Sequence, residues 1–176
     1  LAPARSRGLR FLQIDDTLWM YNPRAGGGRA LRLSPRASFQ GSAFSNRDLS
    51  DPEFASDYAV ELTGTETVEH PDLGSVECWV LEATATNDQL AYARIRLWIT
   101  TDREILVRSH YFAKSGLLFK TAEFRDIRQI AGADRPTTIA MRDRQQSNLV
   151  STMSITSLEV ADDLPDRTFT QRYLTR

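Results

Sequence analysis

The segment Arg94-Ile95-Arg96-Leu97-Trp98-Ile99 alternates charged and apolar side chains, and its reading decides the fold. A period of two puts Ile95, Leu97 and Ile99 on one face of an extended strand and Arg94 and Arg96 on the other, with Trp98 the exception on the polar side. Thr101-Asp102-Arg103-Glu104 then supplies a turn and Ile105 to Phe112 continues extended. Lys114-Ser115-Gly116 places a glycine where a tight hairpin needs one, and Leu117 to Arg125 is the returning strand. Two hairpins in succession make an antiparallel meander.

The same chemistry extends outward. Leu9 to Ile14 and Thr17 to Tyr21 read as strands, and Asn22 to Gly28 as the loop leading into a strand over Arg29 to Leu33. Further strands are expected at Arg128 to Ala131, Thr138 to Arg142 and Leu149 to Val160. Sustained helical periodicity is missing; the best helical piece is Asp51-Pro52-Glu53-Phe54, where Asp suits the cap and Pro the first turn. The expected class is mainly β, a curved antiparallel sheet with a few short helices.

Several strands are apolar on both sides. Leu18 and Met20 oppose Trp19 and Tyr21, and Ile105 and Val107 oppose Leu106 and Phe112. A sheet with one wetted face would be polar there. Either a second layer covers the outer face, the commoner outcome because interiors are filled, or the sheet curves around an apolar space. The face shared by Trp19 and Tyr21 is expected to be buried.

The 176 residues suit one domain, residues 1–176, with a core that needs neither disulfide nor metal. With a formal charge of −1 and a pI near 6.2, whole-molecule electrostatics leaves no footprint for nucleic acid or an anionic membrane surface. Cys78, the single cysteine, lies in the apolar run Val76-Glu77-Cys78-Trp79-Val80 and reads as a packing residue.

The candidates for catalysis are weak. Asp15-Asp16 and Asp162-Asp163 are adjacent pairs whose side chains point apart on a strand, as do Ser109 and His110. His70 and His110 lack metal-pair spacing. Gly26-Gly27-Gly28 is followed by neither Lys-Ser/Thr nor a helix, which argues against a phosphate loop. Arg108-Ser109-His110-Tyr111-Phe112 interleaves aromatic and basic residues as base-stacking sheets do, but near-neutral charge disfavours that role. The expectation is a binding protein rather than an enzyme, with no metal or cofactor.

Four segments in order resemble the LolA/LolB-like outer-membrane lipoprotein-sorting family. A D-D-x-x-W-x-Y-x-P signature stands as Asp15, Asp16, Trp19, Tyr21 and Pro23. It is followed by Ser38-Phe39-Gln40-Gly41-Ser42-Ala43-Phe44-Ser45-Asn46-Arg47-Asp48-Leu49, in which Phe39, Gly41, Phe44, Asp48 and Leu49 match the family pattern. Leu97-Trp98-Ile99 and Tyr111-Phe112 through Gly116-Leu117 to Lys120 resemble its central hairpins, and Leu164 to Leu174 its closing segment. Thr100 and Ala113 replace acidic residues of that pattern, and the resemblance implies that the family's preceding helix and first strands are not part of residues 1–176.

The resemblance implies an unclosed antiparallel half-barrel with an apolar concave face, and a periplasmic carrier or chaperone for the acyl chains of lipoproteins or other lipids. The alternative is a lipid- or lipoprotein-sensing module that partners a membrane protein such as a lipid exporter. The cleaner apolar faces nominate Ile95, Leu97, Ile99, Val107, Tyr111, Met153 and Ile155 as lining residues, with Met20, Met141 and Met153 as adaptable liners.

Overall fold

The computed structural model describes residues 7–15, 17–25, 28–49, 54–130, 132–146, 149–159, 161 and 163–176. Its backbone forms two compact units, one of Leu1–Pro52 with Ala161–Arg176 and one of Glu53–Val160. Among the described residues no helix is long and apolar enough to cross a membrane.

The first unit holds a three-stranded antiparallel sheet of β1 (Arg10–Ile14), β2 (Thr17–Tyr21) and β3 (Leu31–Arg32). Asp15, at a φ of 49°, turns β1 into β2 so that Leu12 opposes Trp19 and Arg10 opposes Tyr21. The expected burial of the Trp19 face is corrected: Leu18, on the opposite face, is the buried residue of β2, whereas Trp19 and Tyr21 are half-buried. The Arg10 guanidinium lies 5.9 Å from the Tyr21 ring, which keeps that side amphipathic. The strand expected over Arg29 to Leu33 shrinks to two paired residues. A 3-10 turn at Asp166–Phe169 leads into the short helix α2 (Gln171–Leu174), whose Thr170 cap accepts from the Tyr173 N–H.

The second unit is a seven-stranded antiparallel sheet: β4 (Tyr58–His70), β5 (Gly74–Ala85), β6 (Arg94–Thr100), β7 (Leu106–Phe112), β8 (Leu118–Ile130), β9 (Ala133–Asp143) and β10 (Val150–Ser154). They lie in order β10-β9-β8-β7-β6-β5-β4, so the sheet is an unclosed meander with β4 and β10 at its edges. Helix α1 (Phe54–Asp57) precedes β4; Asp51, Pro52 and Glu53 of the expected helix lie outside the described residues. The separate strand expected at Arg128 to Ala131 is the far end of β8, Ala131 itself lying outside the described residues, and the last strand ends at Ser154 rather than Val160.

Bulges decide which face each side chain meets. The β4–β5 register shifts between Leu62 and Gly64, so Leu62 pairs with Leu81 while Gly64 pairs with Val80 on the other face. Gly64 has a φ of 153°, open to glycine and strained for other residues. The β6–β7 register shifts at Trp98/Ile99, leaving Val107 as the extra residue between Leu106 and Arg108. Val107 accordingly packs with Val68, Cys78, Val80, Trp98 and Ile105 on what we term the Trp98 face. Leu73, Val76 and Ile127 pack against the cluster, so this part of the Trp98 face is a filled core.

Candidate acyl-binding face

The opposite side, the Leu97 face, follows from the register. Ala83, Ile95, Tyr111, Lys120 and Asp143 form one row across the sheet, and Leu81, Leu97, Ser109, Ala122 and Met141 the next. Trp79 and Ile99 share the same face, as do Phe124, Ile139 and Met153. Five of the seven predicted lining residues, Ile95, Leu97, Ile99, Tyr111 and Met153, therefore stand on one side. Val107 stands in the core on the other side, and Ile155 follows the end of β10 with 38% of its surface exposed.

One end of the Leu97 face is covered from within the unit. Tyr58, Ala83, Tyr92 and Ile95 form a buried cluster with Phe54, Leu90, Leu97, Tyr111 and Phe119 against it. The Tyr92 ring lies 4.7 Å from Tyr111, and the Tyr58 hydroxyl donates to the Tyr92 carbonyl at 3.3 Å. Lys120 is buried with its ammonium 5.7 Å from the Tyr92 ring and 5.5 Å from Phe119, a cation held over aromatic faces. Asp143, opposite it in register, accepts the N–H groups of Gln145 and Gln146.

Ser109, Ala122, Phe124 and Met141 of the same face are buried as well, and only toward β4 is the face more open. Val60 is 47% and Leu62 58% exposed, and Trp79, Leu81, Leu97 and Ile99 beside them are half-buried. Sequence reading missed Val60, Leu62, Trp79 and Leu81 because it placed no strand on the β4–β5 hairpin. The available signal was the alternation Tyr58-Ala59-Val60-Glu61-Leu62 followed by Thr63, Thr65 and Thr67, with Pro71-Asp72-Leu73-Gly74 as a turn.

The Trp98 face beyond its core is charged. Glu82 accepts from Arg94 at 2.9 Å and from Arg96, Arg108 donates to Glu123 at 3.1 Å, and Trp98 Nε1 donates to Glu66 at 2.9 Å. His110 sits edge-on to Trp98 at 4.6 Å; burial first, then Arg108, holds its pKa below the usual 6.5. Ser109 is on the other face, its hydroxyl donating to Tyr111 Oη at 3.0 Å, so Ser109 and His110 do not form a nucleophile and base. Among the described residues no three His, Cys, Asp or Glu side chains gather as a metal site requires.

The motif residues of the first unit build a loop rather than a reactive site. Gln40 and Gly41, at φ of 53° and 75°, turn the chain so that Phe39 N–H donates to the Phe44 carbonyl at 2.7 Å. Asp48 accepts the Ser45 N–H at 2.6 Å while Ser45 Oγ accepts the Asp48 N–H, a reciprocal cap over the 3-10 turn at Arg47–Leu49. Phe44 is buried, and Phe39 and Leu49 are half-buried; the Phe39 ring lies 5.0 Å from Phe11. Pro23 is exposed in the turn after β2, and Asp16 lies outside the described residues, as do Gly26, Gly27 and Asp162.

An unclosed antiparallel sheet with one apolar face partly uncovered defines a class, the LolA-like proteins, and solved structures bear the likeness out. A LolA superfamily protein from Nitrosomonas europaea is 28% identical with a TM-score of 0.80, over 97% of this chain and 74% of that one. An outer membrane lipoprotein-sorting protein domain from Vibrio parahaemolyticus is 25% identical with a TM-score of 0.84, over 99% and 74%. A DUF1329 family protein from Desulfovibrio piger, 24% identical with a TM-score of 0.85 over 98% and 73%, shares the fold. A family model described as "uncharacterized protein" matches residues 1–176, and the chain belongs to that family. No curated protein sequence matches.

Proposed function

We propose that residues 1–176 act as one LolA-like domain, a periplasmic carrier that shields the acyl chains of lipoproteins or other lipids on the Leu97 face. The observation that supports this reading is the open apolar strip of Val60, Leu62, Trp79, Leu81, Leu97 and Ile99. Contiguous apolar surface of this kind is costly in water and marks a place where something apolar is taken up. Ile95, Tyr111 and Met153 extend the lining along the same face, and the motif loop at Phe39 to Leu49 serves architecture rather than contact with cargo.

Binding through such a strip is driven by hydrocarbon burial, about 0.8 kcal/mol per methylene, or roughly fourfold in affinity for each added carbon. Fluorescent fatty-acyl probes of increasing length are expected to bind progressively tighter, and native mass spectrometry of the purified protein to show retained lipid. Flat affinity across the series, with no retained lipid, refutes the carrier reading.

A further inference from the structure

The formal charge of −1 conceals a segregation. Residues 1–52 and 161–176 carry eleven arginines against seven carboxylates, a formal +4, whereas residues 53–160 carry eleven lysines and arginines against sixteen carboxylates, a formal −5. Taken alone, the first unit is basic, which the whole-chain value hides.

Within that unit an open surface depression of about 350 Å³ is lined by Gly28, Arg29, Ala30, Gln171, Arg172 and Thr175. Two arginines from distant parts of the sequence, Arg29 and Arg172, thus border one space beside Gln171 and Thr175. No carboxylate lines it, and neither Arg29 nor Arg172 makes an ion pair among the described residues. Such a donor set fits phosphate oxygens. Large apolar side chains flank it in the chain and are left in water: Leu31 is 58%, Phe169 52% and Tyr173 46% exposed.

We propose that this surface around α2 docks on an anionic phospholipid bilayer. Arg29 and Arg172 hold lipid phosphates, while Leu31, Phe169 and Tyr173 rest at the depth of the headgroups, where amphipathic and aromatic side chains are favoured. The apolar flank argues for a bilayer over a free phosphate, which would leave those three side chains in water. Docking here is separate from acyl uptake on the Leu97 face and stands whether or not that uptake occurs.

The test is flotation of the purified chain with phosphatidylcholine vesicles, with and without phosphatidylglycerol. Binding is expected to phosphatidylglycerol-containing vesicles only and to weaken as salt is raised. R29Q/R172Q is expected to lose roughly thirtyfold in partitioning. R128Q/R135Q, which removes the same charge from exposed positions of the other unit, is expected to bind as the unaltered chain does. Both variants should retain the β-sheet circular dichroism spectrum. Equal loss in the two variants, binding to neutral vesicles as strong as to anionic ones, or no vesicle binding at all overturns the proposal.

Discussion

His70 Nε2 lies 2.7 Å from the main-chain oxygen of Phe124, joining β4 to β8 past the three strands that separate them in the sheet. Because a carbonyl only accepts, Nε2 carries the proton; Nδ1 is then free to accept the Asp72 N–H at 3.3 Å. Asp72 in turn accepts the Asp126 N–H at 2.6 Å. These bonds fasten the tip of the β4–β5 hairpin to β8 beside the Trp98-face core.

Replacing His70 removes that fastening and leaves a buried carbonyl without its donor. His70→Phe, which keeps the ring but not the donor, is expected to cost about 1–3 kcal/mol in urea unfolding. A stability unchanged within error would mean that the hairpin tip is held by the apolar cluster alone.

The pH dependence of stability should carry the mark of His110. Burial, reinforced by Arg108, Arg96 and Arg144 and opposed by Glu123, lowers its pKa below the ordinary 6.5. The unfolded chain therefore takes up the proton first, so this contribution is complete above pH 6.5 and is lost as pH falls through the lower folded-state value. His110→Gln is expected to flatten that part of the curve. An unaltered acid limb in the variant would assign the loss to other groups.

Much of the meander is legible because Arg94 to Ile99 alternates apart from Trp98, and the turns around it contain the residues turns need. The β4–β5 hairpin was not, because Glu61, Glu66, Glu69 and the intervening threonines give an edge strand that is exposed along most of its length. Propensity alone does not separate such a strand from a polar loop. Val107 was placed with Tyr111 by simple alternation, and the one-residue bulge at Val107 sends it to the opposite face. Single bulges leave no mark in a period-two pattern, so the lining set could be read as apolar but not sorted by face.

Cys78 should be chemically silent in the folded protein. It is fully buried, and burial pushes its thiol above the ordinary cysteine value despite the nearby Arg108. Titration with a thiol-reactive chromophore is expected to proceed only as fast as the unit opens, and to become rapid in denaturant. Immediate stoichiometric reaction under native conditions would contradict the packing of the Trp98-face core.

The clearest test of the Leu97 face uses a residue that contributes little to folding. Leu62 is 58% exposed on an edge strand, so Leu62→Lys is expected to change stability by no more than about 0.5 kcal/mol. If acyl chains lie along Val60, Leu62, Leu81 and Leu97, that lysine puts an ammonium in their path and should weaken binding of a long-chain probe roughly tenfold or more, because its charge must be desolvated or the chain displaced. Leu97→Arg, at a half-buried position in the same row as Leu81, should weaken binding further and also cost some stability. Val107→Ala serves as the contrast: it opens a cavity in the opposite core and should destabilise by a few kcal/mol at most, with probe affinity unchanged in the folded fraction. Undiminished binding in both Leu62→Lys and Leu97→Arg would move the lipid site off this face.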